Sequence, residues 1–195
     1  MKLRKSLSIF LFALLSALTF SSCSYNTIIE KQEAVEAQWA QVENVYQRRA
    51  DLIPNLVETV KGYATHEQET YTAVIEARAK ATSMNFSADD LTEENMAKFQ
   101  AAQNQLSGAL SRLMVVQENY PELKANENFR DLAQQLESTE NRIATERKKF
   151  NEVAQEYNTY IRKFPTNLVA MIFSFAQKPY FKATEGADKA PQVKF

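Results

Sequence analysis

Apolar residues recur through this chain at steps of three and four, the spacing that places side chains on one face of an α-helix. The first such series runs from Val35 to Tyr63, and only Arg49 interrupts it. A sustained period of two, which would indicate a strand, does not occur in the sequence. The pattern therefore predicts an all-α protein. The members of the first series are Val35, Trp39, Val42, Tyr46, Ile53, Leu56, Val60 and Tyr63.

Prolines and capping residues divide the pattern into helices. Because Pro54 lies inside the first series, we expect a kinked or restarted helix that continues nearly collinearly to about residue 83. Thr92 and Asn126 are placed to cap the next two helices, the second of which extends to Pro165. Long amphipathic helices with short connections predict an antiparallel up-and-down four-helix bundle with long, partly kinked helices.

The same series predict which side chains form the core. We expect Trp39, Leu56, Leu110, Leu136 and Phe150 to be buried. The apolar segment 168–176 is too short to span a bilayer, and we interpret it as a short helix that closes the bundle. Contact with a membrane interface or with a partner protein, for which Phe173 and Phe175 are the aromatic candidates, is the alternative.

The N-terminus resembles a bacterial lipoprotein signal peptide. Basic residues at positions 2, 4 and 5 precede an uncharged apolar run over residues 7–20, followed by two serines and Cys23, the only cysteine. In such signals the cysteine is acylated, typically with palmitate, and becomes the first residue of the mature protein. A plain signal peptide, or an uncleaved membrane segment, with an incidental cysteine is the alternative.

These features predict the order of segments along the chain. Residues 1–22 form a lipoprotein signal peptide, residues 23–30 a lipid-anchored linker, residues 31–176 the helical bundle, and residues 177–195 a weakly ordered tail. We therefore expect the protein in the bacterial cell envelope, held to a membrane by acyl chains on Cys23, with its domain outside the cytoplasm.

Composition argues against several classes of function. Three glycines, one histidine and one cysteine are too few for a glycine-rich phosphate loop, a disulfide framework or a Cys/His zinc site. Removal of residues 1–22 takes away three basic and no acidic residues, so the formal charge falls from −1 to −4. A mildly acidic domain lacks the basic surface that nucleic acids require, so we expect no nucleic-acid partner and no cofactor or metal.

Two long segments carry a family resemblance. Residues 48–67 (RRADLIPNLVETVKGYATHE) and residues 110–165, which include NRIATERKKFNEVAQEYNTYIRKFP, resemble the two signature blocks of the LemA family. Tyr25–Asn26 and the final residues 191–195 (PQVKF) extend the resemblance over almost all of the mature chain. The resemblance implies an N-terminal membrane anchor, a four-helix-bundle domain and no established catalytic activity.

Polar residues within these blocks are the candidates for a site. They either bind a ligand or partner, or form a hydrogen-bonded layer that fixes the helix register, and we favour the layer because polar groups facing an apolar stripe must be paired. His66–Glu67 lacks a nucleophile, and Thr70 stands where a zinc-binding HExxH motif needs histidine, so we expect an exposed or bundle-end histidine and no catalytic residue. The polar candidates are Arg48, Arg49, Lys61, Glu140, Asn141, Arg142, Arg147, Asn151 and Asn158.

The functional expectation is therefore a non-enzymatic, lipid-anchored envelope protein. It would act as a helical scaffold or adaptor that binds other envelope proteins through a helix face. A hydrolase with an unrecognised site, or a periplasmic carrier of hydrophobic cargo between splayed helices, is the alternative.

Overall fold

The chain folds into helices joined by short turns, as given by a computed structural model. The structure describes the backbone of residues 2–84 and 86–182 and the side chains of residues 24–84, 86–88 and 90–182. These residues contain no β-strand, so the prediction of an all-α protein is confirmed. The α-helices, numbered in chain order, are α1 (Lys2–Tyr63), α2 (Gln68–Ser83), α3 (Glu93–Val115), α4 (Pro121–Ala125), α5 (Glu127–Arg162) and α6 (Thr166–Ile172).

Helix α1 runs through Pro54 without interruption, so of the two predicted alternatives, a kinked or a restarted helix, the restart does not occur. Proline has no backbone N–H, and the carbonyl of Ala50, one turn earlier, therefore loses its helical partner. A side chain of α2 replaces that donor, because Arg78 Nε donates to the Ala50 carbonyl at 2.8 Å. A tertiary contact thus satisfies the carbonyl that the proline leaves free.

We expect Arg78→Met to lower the free energy of unfolding by about 1.5–3 kcal/mol, the range for a hydrogen bond to a charged group. In a Pro54→Ala background the alanine N–H restores the helical bond to Ala50, so the same change should cost much less. Urea unfolding of the wild type, Arg78→Met, Pro54→Ala and the double variant measures this coupling. An equal loss in both backgrounds would mean that Arg78 stabilises the fold through other contacts.

Helix α1 ends at Tyr63, and the chain turns over residues 64–67, so the predicted collinear continuation to about residue 83 is wrong. In the turn the Ala64 N–H bonds to the carbonyl one turn earlier at 2.8 Å, and the Glu67 N–H bonds to the Ala64 carbonyl at 3.1 Å. Helix α2 then folds back along α1, and their apolar faces share one buried cluster. A single straight helix would carry the apolar face of α2 away from the other helices and leave it in water, so the burial of this face favours the turn.

Two predicted helix starts are confirmed by their caps. The Thr92 hydroxyl accepts from the Asn95 N–H at 3.1 Å at the start of α3, and the Asn126 side chain accepts from the Phe129 N–H at 2.9 Å at the start of α5. Pro121, expected only to end a helix, also begins α4, where its missing N–H is harmless in the first turn.

Buried side chains form two clusters along the helices. The first surrounds Trp39, whose ring centroid lies 5.3 Å from that of Phe99 and 5.6 Å from that of Phe150. The second is mostly aliphatic, with Phe129 as its buried aromatic residue, and lies beyond Arg49, around Leu56 and Leu113. The five predicted core residues are at most 6% exposed, which confirms them: Trp39, Leu56, Leu110, Leu136 and Phe150.

The folded part begins earlier than predicted. Residues 24–30 belong to α1 and Ile28 is fully buried, whereas residues 23–30 were expected to be a linker. Ile28 lies seven residues before Val35, so it continues the same apolar face. Cys23 and the predicted signal peptide lie outside the described side chains, so lipidation stays a prediction. Within the residues whose side chains are described, no helical stretch is long and apolar enough to cross a membrane.

The chain after α6 lies against the helices as far as Lys182, whereas a weakly ordered tail was expected from Gln177 onward. Phe181 is 6% exposed, and its ring stacks on that of Trp39 with centroids 6.1 Å apart. The segment 177–182 is thus part of the core on one side. Residues 183–195 of the predicted tail lie outside the described part of the chain.

Two asparagines of α5 hold this segment in place. Asn158, which is 3% exposed, donates to the Lys178 carbonyl and accepts from the Lys178 N–H, both at 2.8 Å. Asn151 forms the same pair of bonds with Phe181, at 3.0 and 2.8 Å. Each amide side chain therefore replaces the strand partner that an extended backbone otherwise requires.

We expect Asn158→Ala to release segment 177–182, because the Lys178 backbone then loses its two hydrogen bonds with Asn158. The free energy of unfolding should fall by about 1–3 kcal/mol, the sum for two hydrogen bonds at about 0.5–1.5 kcal/mol each. Hydrogen exchange of the Lys178 and Phe181 amides should accelerate, while Asn128→Ala, an exposed change on the same helix, should alter neither quantity. Unchanged protection of both amides in Asn158→Ala would contradict this assignment.

Helix α6 packs across the ends of α1 and α5. Val169 and Ala170 are buried there, and the Tyr25 ring of α1 lies 5.7 Å from that of Phe175. This position agrees with the prediction that the segment closes one end of the helical body. The opposite face of α6 remains exposed.

Candidate functional site

A buried arginine joins three helices at the middle of the structure. Arg49 of α1 is 1% exposed and donates from Nη1 to Ser107 Oγ at 2.8 Å and to Glu140 Oε1 at 2.5 Å. Its Nη2 donates to the side-chain oxygen of Gln103. These four residues, which we call the Arg49 layer, connect α1 to α3 and α5.

The layer suits the chemistry of a guanidinium group. Its planar, forked donors bond several acceptors at once, and a charge removed from water needs such partners. The Arg49 guanidinium also lies 5.1 Å from the ring centroid of Tyr46. Burial raises the pKa of Tyr46, while the positive charges of Arg147 and Arg49 act in the opposite direction. Arg49 Nε is buried without a hydrogen-bond partner among the described atoms.

A groove begins at this layer and runs between α3 and α5. These two helices are not packed closely together, unlike the pairs α1–α5 and α2–α3. The open space is about 810 Å³, and Ser107 and Glu140 of the Arg49 layer belong to its wall. Its apolar lining is Leu110, Met114, Phe129, Ala133 and Leu136, and its polar lining includes Ser107, Ser111, Gln117, Arg130, Gln134, Glu137 and Glu140.

Segment 177–182 occupies the other half of the same seam. Lys182 accepts at its carbonyl from Gln100 of α3 at 2.6 Å and from Arg147 of α5 at 2.9 Å. Among the described residues, the seam between α3 and α5 is therefore filled on one side of the Arg49 layer and open on the other.

The hydroxyl groups of the groove are engaged in structural bonds. Ser107 Oγ accepts from Arg49, and Ser111 Oγ donates to the Ser107 carbonyl at 2.9 Å. Neither serine is paired with a general base in the described part of the chain, and the described residues hold no cluster of three metal-binding side chains. As described, the groove offers a surface for contact, and both of its hydroxyl groups are held in structural bonds.

The other candidates separate into structural and exposed groups. Arg147, Asn151 and Asn158 bind segment 177–182, as described above. Lys61 pairs with Glu58 at 2.9 Å. The exposed residues are Arg48, Asn141 and Arg142.

His66 is exposed in the turn between α1 and α2, as expected for a histidine at the end of the bundle. The neighbouring Glu67 does not form an acid–base pair with it in the described contacts; its carboxylate accepts from Tyr120 Oη at 3.3 Å. Burial, followed by the negative charge of Glu67 and the hydrogen bond to it, raises the pKa of Tyr120. This end of the structure is held by polar contacts between turns.

Sequence analysis missed two members of the Arg49 layer. Gln103 and Ser107 are four residues apart on α3, and Gln103 is four residues after the buried Phe99. The sequence does contain a signal for them, because two polar residues four positions apart interrupt the otherwise apolar face of α3. Their pairing with Arg49 depends on how α3 packs.

Comparison with known proteins decides the family. The LemA family profile matches residues 38–195, a span that contains the Arg49 layer and the groove. The chain belongs to the LemA family. The resemblance noted in the two signature blocks is thereby confirmed.

The individual relatives are named either MamQ or LemA. The magnetosome proteins MamQ 1 and MamQ 2 of Paramagnetospirillum magneticum AMB-1 are each 28% identical over 181 residues, covering 84% of this chain and 66% of each relative. Protein LemA of Metamycoplasma hominis is 22% identical over 160 residues, covering 82% of this chain and 69% of that relative. This LemA-family chain thus spans just under two thirds of the length of the two MamQ proteins. None of these names denotes a reaction.

Proposed function

We propose that this LemA-family protein is a non-enzymatic, lipid-anchored protein of the bacterial cell envelope that acts as a scaffold or adaptor for other envelope proteins. The observation that carries the proposal is the open groove between α3 and α5. An apolar floor with a polar rim is the form of surface that binds an amphipathic helix. The partner segment would therefore be a helix with one apolar face.

The dimensions and charges of the groove support this choice of partner. Along α5 the groove extends from Phe129 to Glu140, about 16 Å at the helical rise, which accommodates about three turns of a partner helix. Glu137 on the rim is exposed and forms no ion pair with a described residue. A basic side chain beside the apolar face of the partner would complement this carboxylate.

We further propose that α1, α2, α3 and α5 act together as an antiparallel up-and-down four-helix bundle whose last seam is incomplete. The antiparallel pairing of α1 with α5 supports this, since Lys31 contacts Glu156 at 3.2 Å while Gln38 contacts Glu146 at 2.7 Å. The Arg49 layer would hold α3 and α5 at a fixed separation. A fixed separation keeps the groove available for a partner.

The two alternative functions fit the groove less well. Its apolar lining would also suit a carrier of hydrophobic cargo, but such sites commonly enclose about 70–90% of a small ligand, and this groove is open to solvent. A hydrolase would need a hydroxyl or thiol paired with a base. The serines of the groove are bonded within the Arg49 layer and to the α3 backbone instead.

Photocrosslinking in native membranes tests the adaptor proposal. A photoreactive residue replaces exposed Ser111 on the groove rim, and a matched control replaces exposed Thr72 on α2. We expect position 111, and not position 72, to capture one recurrent peptide that can form an amphipathic helix. Ala133→Arg, which fills the groove with a bulky charged side chain, should abolish the capture.

Three results would overturn the proposal: no capture, equal capture at both positions, or capture that survives Ala133→Arg. A crosslink to residues 183–195 of the same chain would also overturn it, since the groove would then be occupied internally. Thirteen extended residues reach about 43 Å from Lys182, so this result is sterically accessible.

Lipidation at Cys23 has a direct test. We expect Cys23→Ala to abolish labelling by a fatty-acid analogue, because the thiol is the acylated group. The protein should then leave the membrane or accumulate as the unprocessed precursor. Equal labelling of wild type and variant would contradict lipidation at this residue.

A further inference from the structure

An exposed apolar surface covers one face of α6 and the residues beside it. Nine large apolar or aromatic side chains are exposed among the described residues, and five of them lie within ten positions of each other. Isolated exposed apolar residues are normal, whereas a contiguous group indicates a binding surface. The α6 patch consists of Phe164 (81% exposed), Leu168 (47%), Met171 (72%), Ile172 (71%) and Phe173 (57%).

The fold holds this patch rigidly. Val169 and Ala170 anchor the inner face of α6 in the core. After the helix, Ser174 adopts a φ of 58°, and the Phe175 N–H bonds to the Ala170 carbonyl at 2.9 Å, which is the Schellman arrangement of a helix end. The outer apolar residues are therefore presented in a fixed geometry even though no described residue covers them.

The patch lies beside the N-terminal part of α1. The Phe173 ring lies 4.8 Å from that of Tyr25, near the start of the described side chains of α1. Tyr25 is two residues after Cys23 and five after the apolar run 7–20. At a helical rise of about 1.5 Å per residue, Tyr25 lies about 3 Å along the helix from Cys23 and about 8 Å from the apolar run. It is therefore close to the bilayer whether acyl chains or a retained apolar segment enters it.

The charge around the patch fits a lipid surface. Residues 157–182 contain no acidic residue, while Arg162 and Lys163, both exposed, directly precede Phe164. Basic side chains beside exposed aromatic residues are the composition that binds the interface of membranes with anionic headgroups.

We propose that the α6 patch lies in the interfacial region of the membrane, as a second contact beside the N-terminal attachment. This inference rests on the proposed membrane attachment and goes beyond it, since it fixes the orientation of the protein. Residues 25–49 of α1 would then rise about 36 Å from the bilayer, at 1.5 Å per residue. The groove beyond the Arg49 layer would face partners at that height.

The test measures the depth of single residues in the full chain. Met171→Cys is labelled with an environment-sensitive fluorophore in vesicles of phosphatidylcholine and phosphatidylglycerol, with and without headgroup-proximal doxyl lipids. Val115→Cys, an exposed apolar position in another part of the fold, is the matched control. Wild type treated identically corrects for any labelling at Cys23.

We expect the label at position 171 to shift to the blue and to be quenched by doxyl lipid, and the label at position 115 to do neither. Arg162→Gln/Lys163→Gln should reduce the quenching, and phosphatidylcholine alone should reduce it for the parent variant. A label at 171 that remains in water overturns the proposal, as does equal quenching at both positions. A blue shift without quenching would assign the patch to a second copy or another protein and overturn it too.

Failure of this inference and failure of membrane attachment give different results. If attachment fails, the full chain does not float with the vesicles at all. If only the α6 proposal fails, the chain floats and the label at position 171 is not quenched.

Discussion

Replacing Trp39 with alanine should lower the free energy of unfolding by about 3–5 kcal/mol, the range for truncating a buried aromatic side chain. Trp39 is 2% exposed and contacts the rings of Phe99, Phe150 and Phe181. Its indole N–H also donates to the Phe86 carbonyl at 3.0 Å. The change would therefore leave a cavity where α1, α3, α5 and segment 177–182 meet, and an unpaired carbonyl beside it.

Two further variants calibrate this loss. Trp39→Phe keeps one aromatic ring in the cluster and removes the N–H together with the rest of the indole, so we expect a smaller loss than in Trp39→Ala. Val115→Ala removes an exposed apolar side chain and should change stability by less than about 0.5 kcal/mol. Urea unfolding of the full chain in detergent, followed by circular dichroism, measures all three. A loss in Trp39→Ala no larger than in Val115→Ala would show that the aromatic cluster does not stabilise the fold.

The second large effect is expected at Glu140. Glu140→Ala should cost about 3 kcal/mol, near the lower end for breaking a buried ion pair by removing one partner. The Glu140 side chain is 44% exposed, so its truncation loses little packing, but Arg49, at 1% exposed, loses its only carboxylate partner in the described structure. The cost arises from the arginine charge that remains buried.

A double mutant tests this explanation. Arg49→Met/Glu140→Ala removes the buried charge together with its partner, so it should recover much of the stability lost in Glu140→Ala. Arg49→Lys should destabilise the wild-type background, because one ammonium group cannot replace the fork that bonds Gln103, Ser107 and Glu140. If Glu140→Ala costs less than about 0.5 kcal/mol, the pair behaves like an exposed salt bridge and the Arg49 layer does not hold the helices together.

These stability measurements also bear on the proposed groove. Glu140 lies both in the Arg49 layer and in the groove wall. A variant such as Ala133→Arg alters the groove without touching the layer, so it should block a partner while leaving stability almost unchanged. Comparing Glu140→Ala with Ala133→Arg therefore distinguishes a residue that shapes the groove from one that contacts a partner.

Sequence patterns predicted the features of this protein that depend on neighbouring residues. Apolar spacing predicted the all-α chain and the burial of residues such as Trp39 and Phe150, and capping preferences predicted the helix starts at Thr92 and Asn126. A cap or an apolar stripe joins residues three to seven positions apart, so its physical cause lies within a short stretch of sequence. The LemA family membership was likewise visible in two continuous blocks.

The tertiary structure decided the rest, because the partners are far apart along the chain. The Ala50 carbonyl that Pro54 leaves without a helical partner is bonded by Arg78, 28 residues away. The order of segment 177–182 depends on Asn158, 20 residues from Lys178, and the Arg49 layer joins residues 91 positions apart. Whether a buried polar group finds such a partner depends on the packing of helices against one another, which local periodicity does not specify. The open seam between α3 and α5 has the same origin, since it is set by the separation at which that packing leaves the two helices.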